Sequence, residues 1–176
     1  MKRQDIPITD FRFDPAYIRD SWLLLCSGDS RSYNAMTISW GSYGQIWNKM
    51  FFHVVVRPTR FTFNFMEKYE TFTLCGFDNR FKNSLALLGS KSGRDGDKIA
   101  ESGLTPIASP HVAAPGFEEA ELIIECRKLY WQDIDNSHFL DPSIEKNYPQ
   151  RDYHRAYFGE IVGISGTENF KMSSHS

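Results

Sequence analysis

A chain of 176 residues, 41% hydrophobic and 15% aromatic, has enough apolar material for one substantial core, and its length suits a single domain over 1–176. Lys and Arg number 20 against 22 Asp and Glu, a net charge of −2, which excludes a general basic field for nucleic acid or an anionic membrane, so any anion site has to be local. Cys26, Cys75 and Cys126 are odd in number and lack CxxC spacing, which excludes a disulfide framework and a zinc centre and points to the cytoplasm.

No apolar run approaches the roughly 20 residues of a membrane span, and the opening MKRQDIPITDFRFD turns polar at once, so neither membrane insertion nor export is expected. SWLLLC, residues 21–26, reads as a short buried strand that the turn-forming SGDSRS cuts off. NAMTISW alternates next, with Met36, Ile38 and Trp40 on one face and Thr37 and Ser39 on the other. GSYG is expected to be a turn leading into a long strand, IWNKMFFHVVVR, whose continuous apolar stretches suggest burial on both sides.

Pro58 breaks that ladder, and Thr59 is a suitable N-cap for a helix over RFTFNFMEKY, on which Phe61, Phe65 and Tyr69 form one apolar stripe. TFTLCGF is a further alternating strand. Asp78 opens a helix through NRFKNSLALLG with Gly89 where a C-terminal cap is expected, and Gly103 closes a short helix DKIAESG after the polar loop SKSGRDGDK. Strand patterning returns over 118–135, with Ala120, Leu122, Ile124 and Cys126 on one face, then FLDPSIEKNYPQR connects to a closing strand AYFGEIVGIS and a tail that reads as frayed. Six or seven strands with short helices between them, and no regular crossover helices, favour a mainly β fold, a β-barrel with short helical insertions, over a doubly wound sheet.

Three segments carry chemistry. VVVRPTRFTF puts Arg57, Thr59, Arg60 and Thr62 around a helix N-terminus, where free N–H groups and the helix dipole favour an anion and arginine can grip two oxygens at once. Alone, the same residues also fit two solvated surface charges and a helix cap. GSKSGRDGDK lacks P-loop spacing, yet Ser90, Lys91 and Ser92 suit close approach to a phosphate. The third segment is the Thr37/Ser39 face. No histidine pair has metal-ligand spacing, no serine or cysteine sits in a nucleophile motif, and the cysteines fall in apolar strand patterns where packed thiols are the default.

With NAMTISWGSYGQIWNKMFFHVVVRPTRFTFNFMEKYETFTL followed by LLGSKSGRDGDKIAESGLT, the chain resembles the flavin reductase-like family of FMN-binding split barrels, nearest its flavoredoxin branch, over about residues 21–165. The resemblance implies a homodimeric, six-stranded FMN-binding split β-barrel that holds FMN non-covalently. It implies that Asn34, Met36, Thr37, Ile38, Ser39 and Trp40 neighbour the flavin ring, and that Arg57, Thr59, Arg60, Phe61 and Thr62, with Ser90, Lys91 and Ser92, bind its phosphate and ribityl chain. DYHRAYFGEI is similar to the family signature G-D-H-x-x-x-x-x-G-E-V. His154 and Gly159 keep the spacing, and His154 is the implied catalytic position; Asp152 and Tyr153 stand where Gly and Asp are usual. The implied activity is NAD(P)H:flavin reduction or flavoredoxin-like electron transfer, with NADH or NADPH as possible donor and free flavin or a redox partner protein as acceptor. The alternative is an FMN-binding electron carrier without NAD(P)H turnover. The chemistry belongs to the flavin, so no side-chain acid or base is needed.

Overall fold

The structure, a computed structural model, describes residues 2–172. Its centre is one antiparallel sheet in which β2 (Leu23–Gly28), β3 (Tyr33–Ile38), β4 (Gly41–Ile46), β5 (Lys49–Val56), β6 (Thr71–Gly76), β9 (Leu122–Asp133) and β10 (Arg155–Gly166) follow the order β3-β2-β6-β9-β10-β5-β4. The short β1 (Gln4–Asp5) adds to β10, and β7 (Pro106–Ile107) pairs with β8 (Gly116–Phe117) in a separate ribbon. Eight strands thus form the main sheet rather than the expected six; β1 and β4, the two additions, lie in polar or Gly-rich stretches with no apolar run to mark them.

β3 and β4 stand at opposite ends of this order, yet only Ser39 and Trp40 separate them in the chain. Three peptide steps reach at most about 11 Å, so the sheet must curl until its two edges meet. The result is a barrel with an unpaired seam between β3 and β4, which is what split means here.

Side-chain alternation explains the two cores. Leu23, Leu25, Met36, Ile38, Phe52, Val54, Val56, Phe72, Leu74, Leu122, Ile124 and Cys126 point inward and pack together with Tyr157 and Met66. Leu24, Cys26, Ala35, Cys75 and Ile123 point outward and are covered by Leu85 and Leu88 of α3 (Lys82–Ser90), Ile99 of α4 (Lys98–Ser102) and Phe117. The walls under these helices are therefore apolar on both faces. β5 is not: its odd-numbered neighbours are half-buried, because no helix covers that part of the wall. All three cysteines are fully buried thiols.

Several local expectations are corrected. GSYG is strand β4, and the turn lies at Trp47 and Asn48, both with positive φ (52° and 58°), as a two-residue hairpin of this twist demands. α2 spans Phe61–Lys68 with Arg60 at the N-cap and no side-chain cap; the Thr59 hydroxyl is drawn away to Asp152. α2 buries Thr62 and Met66, while Phe61, Phe65 and Tyr69 form a half-exposed ridge, Phe61 edge to face on Phe65 and Phe65 stacked on Tyr69. Gly89 sits inside α3 instead of capping it. An added Cβ would lie 3.2 Å from Thr37 Cβ, so the glycine serves the close packing of α3 on β3. Gly103 does close α4 in the left-handed conformation. Of the tail, Phe170 is buried in the core and Lys171 bridges to Phe11 rather than fraying; residues 173–176 lie outside the described ones.

Candidate functional site

Two cavities flank the start of α2. The first lies in the seam, about 170 Å³, and is lined by Met36, Thr37, Ile38, Ser39, Trp40, Val55, Arg57 and His154. β3 delivers the first three. Where it ends, Ser39 and Trp40 leave the sheet, and Trp40 lies 45% exposed with its ring 5.3 Å from that of His154. Thr37 does not offer its hydroxyl freely, for it donates to Leu85 O at 2.5 Å and ties β3 to α3.

His154 is 8% exposed and shares a 2.9 Å hydrogen bond between its Nδ1 and the Tyr148 hydroxyl. Burial, reinforced by the Arg57 guanidinium and opposed by Asp152, lowers its pKa to about 4, so the imidazole is neutral at physiological pH. Arg57 is held on the same side. It donates to both Asp152 oxygens at 2.9 and 3.0 Å and to Asn147 O at 2.7 Å, and it lies over the Tyr148 ring. Burial works against the Asp152 carboxylate, yet Arg57 and Thr59 hold its pKa below the ordinary value. Asp152 is thus the residue that fixes Arg57, at a position where the family signature carries glycine.

The second cavity, about 110 Å³, is lined by Thr59, Arg60, Phe61, Thr62, Ser90, Lys91, Ser92, Arg94 and Lys98, with no carboxylate among these described residues. It brings the RPTRFT junction and the SKS loop together. Arg57 is not part of it: the two arginines diverge across the turn, Arg57 to the seam and Arg60 to this cradle, where it donates to Gly89 O. Thr62 is fully buried and accepts a 2.6 Å hydrogen bond from Asn34 Nδ2, which pins the first turn of α2 to β3. Ser90 spends its hydroxyl on Ala86 O and Leu87 O, and Lys91 pairs with Glu101.

Lys98 and Arg94 were not among the residues singled out from the sequence. Lys98 is 3% exposed, and its ammonium donates to Leu88 O and Lys91 O, both at 3.0 Å, with no counter-ion among the described residues. Burial, and secondarily Arg60, lower its pKa to about 8; burial and Arg57 likewise push Arg60 down. Buried Lys98 and half-buried Arg60 therefore face one cavity, each bonded to backbone carbonyls, beside the N-terminus of α2. Desolvated charges of one sign are unfavourable unless something of opposite charge completes the set. The sequence signal for Lys98 was its place just after Asp97, the side-chain N-cap of α4, which orients the first residue of that helix.

The fold is shared with solved structures. Flavoredoxin of Desulfovibrio vulgaris (Miyazaki F) superposes with a TM-score of 0.65 at 22% identity, covering 84% of this chain and 70% of that one. An FMN-binding domain of a flavin reductases-like enzyme from Shewanella baltica gives 0.69 at 15% identity, covering 94% and 77%. Flavoredoxin from Methanosarcina acetivorans gives 0.65 at 18%, covering 93% and 72%. No curated protein matches the chain. The flavin reductase like domain matches residues 20–171, nearly the whole length, and the chain belongs to that family.

Proposed function

We propose that this protein is an FMN-dependent oxidoreductase of the flavin reductase type, soluble in the cytoplasm and built as one domain. The carrying observation is the cradle at the α2 N-terminus, where half-buried Arg60 and buried Lys98 face one cavity with no acid among its described lining residues, a charge pattern that a phosphate dianion would complete. Arg60, Lys98 and the hydroxyls of Thr59 and Ser92, with Lys91 and Ser90 at the rim, would hold the phosphate. Asn34 would keep the α2 N-terminus in place through Thr62. Residues 36–40, running along the seam, would present backbone groups to the polar edge of the ring, with Phe61 flanking the ribityl chain.

Bound FMN supplies the electron and hydride chemistry; the protein orients it and limits water access. His154, neutral and held by Tyr148, would present a hydrogen bond rather than a charge at the seam. Free flavin or a redox protein is the acceptor in this reading. The exposed Trp47 and Tyr130, whose rings lie 6.0 Å apart on the outer wall, support a homodimer.

One observation favours the second reading, an FMN-binding electron carrier without NAD(P)H turnover. Arg57, the cation beside the seam, is neutralised by Asp152 and so is not free to receive a nicotinamide nucleotide's phosphates. Anaerobic rapid mixing of the FMN-loaded protein with NADH and with NADPH separates the two. Bleaching of the flavin with either on a catalytic timescale supports a reductase. Absence of bleaching with both, in a sample that dithionite does bleach, supports the carrier.

A further inference from the structure

The chain between β9 and β10, residues 134–154, carries Tyr148 as well as Asp152 and His154. The Asp141 carboxylate accepts from Ser143 N at 2.9 Å and starts a short 3-10 helix, Pro142–Asn147, that delivers Tyr148 to the side of His154. The Tyr148 ring is 4% exposed there, packed edge to face on His154 at 5.5 Å and stacked on Phe139 at 6.1 Å, with the Arg57 guanidinium 5.1 Å from its centre. A ring held on so many sides keeps its hydroxyl in one place, and that place is 2.9 Å from His154 Nδ1.

Either atom could carry the shared proton, and burial decides between them. If Nδ1–H donated, the Tyr148 O–H would itself lack an acceptor, because the hydroxyl has no other hydrogen-bond partner among the described residues. An unmade buried donor shifts such an equilibrium by about 5- to 150-fold. The phenol keeps its proton, since burial raises its pKa, and the imidazole is neutral with a pKa of about 4, so donation from O–H to Nδ1 is the arrangement that satisfies both groups. A neutral imidazole that accepts at Nδ1 carries its proton on Nε2. Nε2 has no partner among the described residues, yet it is not sealed in: the fully buried polar side-chain atom without a partner among them is Thr167 Oγ1. His154 borders the seam, so this N–H opens on the space assigned to the flavin ring.

We propose that Tyr148 is a positioning residue: through Nδ1 it fixes the proton of His154 on Nε2, and that N–H donates to a nitrogen or carbonyl oxygen of the flavin ring. The tautomer stands on the geometry around Tyr148; the identity of the acceptor rests on the flavin reading of the seam. Hydrogen bonds strengthen as the acceptor gains negative charge, charge-assisted ones being about twice as strong as neutral ones, so this N–H favours the reduced ring over the oxidised one and raises the potential of the bound flavin. Tyr148 matters to the ring only through the imidazole. A glutamine at 154 carries its own amide donor and needs no neighbour to fix it.

The test uses the full chain, Tyr148→Phe, His154→Gln and the double variant, with thermal melts to establish that each is folded. Ring-nitrogen NMR of the histidines at neutral pH should show the Nε2–H tautomer for His154 in the ligand-free parent and a mixture of tautomers in Y148F. Redox titration of bound FMN should give a more negative potential in Y148F than in the parent, and the affinities for FMN and riboflavin should each fall about 3- to 10-fold. In the His154→Gln background the same Tyr148→Phe change should move neither the potential nor the affinities. An Nδ1–H tautomer in the parent, an unchanged tautomer in Y148F, or a Y148F effect as large in H154Q as in the parent overturns the inference. FMN bound with the parent's potential and affinity in Y148F overturns the donation to the ring and leaves the flavin reading standing. Failure of both flavins to bind the parent overturns the flavin reading and the donation to the ring together.

Discussion

Lys98 separates binding from folding more sharply than any other residue of the cradle. With its pKa near 8 instead of the ordinary 10.5, the charged ammonium burdens the ligand-free fold at neutral pH by about 3 kcal/mol. The sign follows from proton counting. Between about pH 8 and 10.5 the unfolded chain keeps this proton and the folded one has lost it, so stability of the ligand-free protein rises with pH across that window and is lowest below it. Lys98→Met removes the burden and also the hydrogen bonds to Leu88 O and Lys91 O. At roughly 1 kcal/mol for each of those bonds, the net effect on stability is within about 1 kcal/mol of zero. Affinity behaves differently: a charge-assisted contact to phosphate is worth about 1.5–3 kcal/mol, so FMN should bind about 10- to 150-fold more weakly while riboflavin is unaffected. Parallel flavin titrations and thermal melts of the two proteins read both effects. Equal weakening of FMN and riboflavin, or unchanged FMN affinity with the fold intact, would refute the assignment of Lys98 to a phosphate.

The two arginines should part company in the same titrations. Arg60→Ala weakens FMN about 10-fold or more relative to riboflavin, whereas Arg57→Ala, which acts at the seam, changes both flavins by the same factor. His154, neutral when folded with a pKa of about 4, makes the native state lose up to about 3 kcal/mol as pH falls from about 6.5 to 4, because the unfolded chain takes up the proton first. Urea unfolding at several pH values should show that loss in the parent and a smaller one in His154→Gln; identical pH profiles would contradict it. Gly159→Ala puts a Cβ 2.4 Å from Phe72 Cζ and 2.9 Å from Cys126 Cβ, so it should cost about 1–3 kcal/mol of stability. Retention of the flavin spectrum at low temperature in G159A would identify the glycine's role as packing; loss of binding in a protein that melts normally would contradict that.

What could be read from the chain, and what could not, follows from how local each cause is. LLLC and TFTLC show as strands because both of their faces are buried, under α3 on one side and in the barrel on the other. β4 was hidden: GSYGQI has the glycines of a turn, and only the positive φ angles of Trp47 and Asn48 reveal where the chain reverses. The junction residues were legible as an anion site because a helix N-terminus is a local feature. Their separate destinations were not, since the partner that draws Arg57 and Thr59 away is Asp152, close to 95 residues further along. Lys98 escaped notice for the same reason. Its burial depends on α3, whose Leu88 carbonyl it meets, and its one local mark, the N-cap Asp97 just before it, orients the helix without showing that the lysine is covered.

The claim on which all of this depends is that the seam and cradle together hold a flavin by its phosphate. The most direct measurement is the absorption spectrum of the freshly purified protein, followed by titration with FMN and riboflavin. The account predicts flavin bands, present at once or appearing with added FMN, and tighter binding of FMN than of riboflavin. A colourless protein that neither quenches FMN fluorescence nor distinguishes it from riboflavin would contradict it.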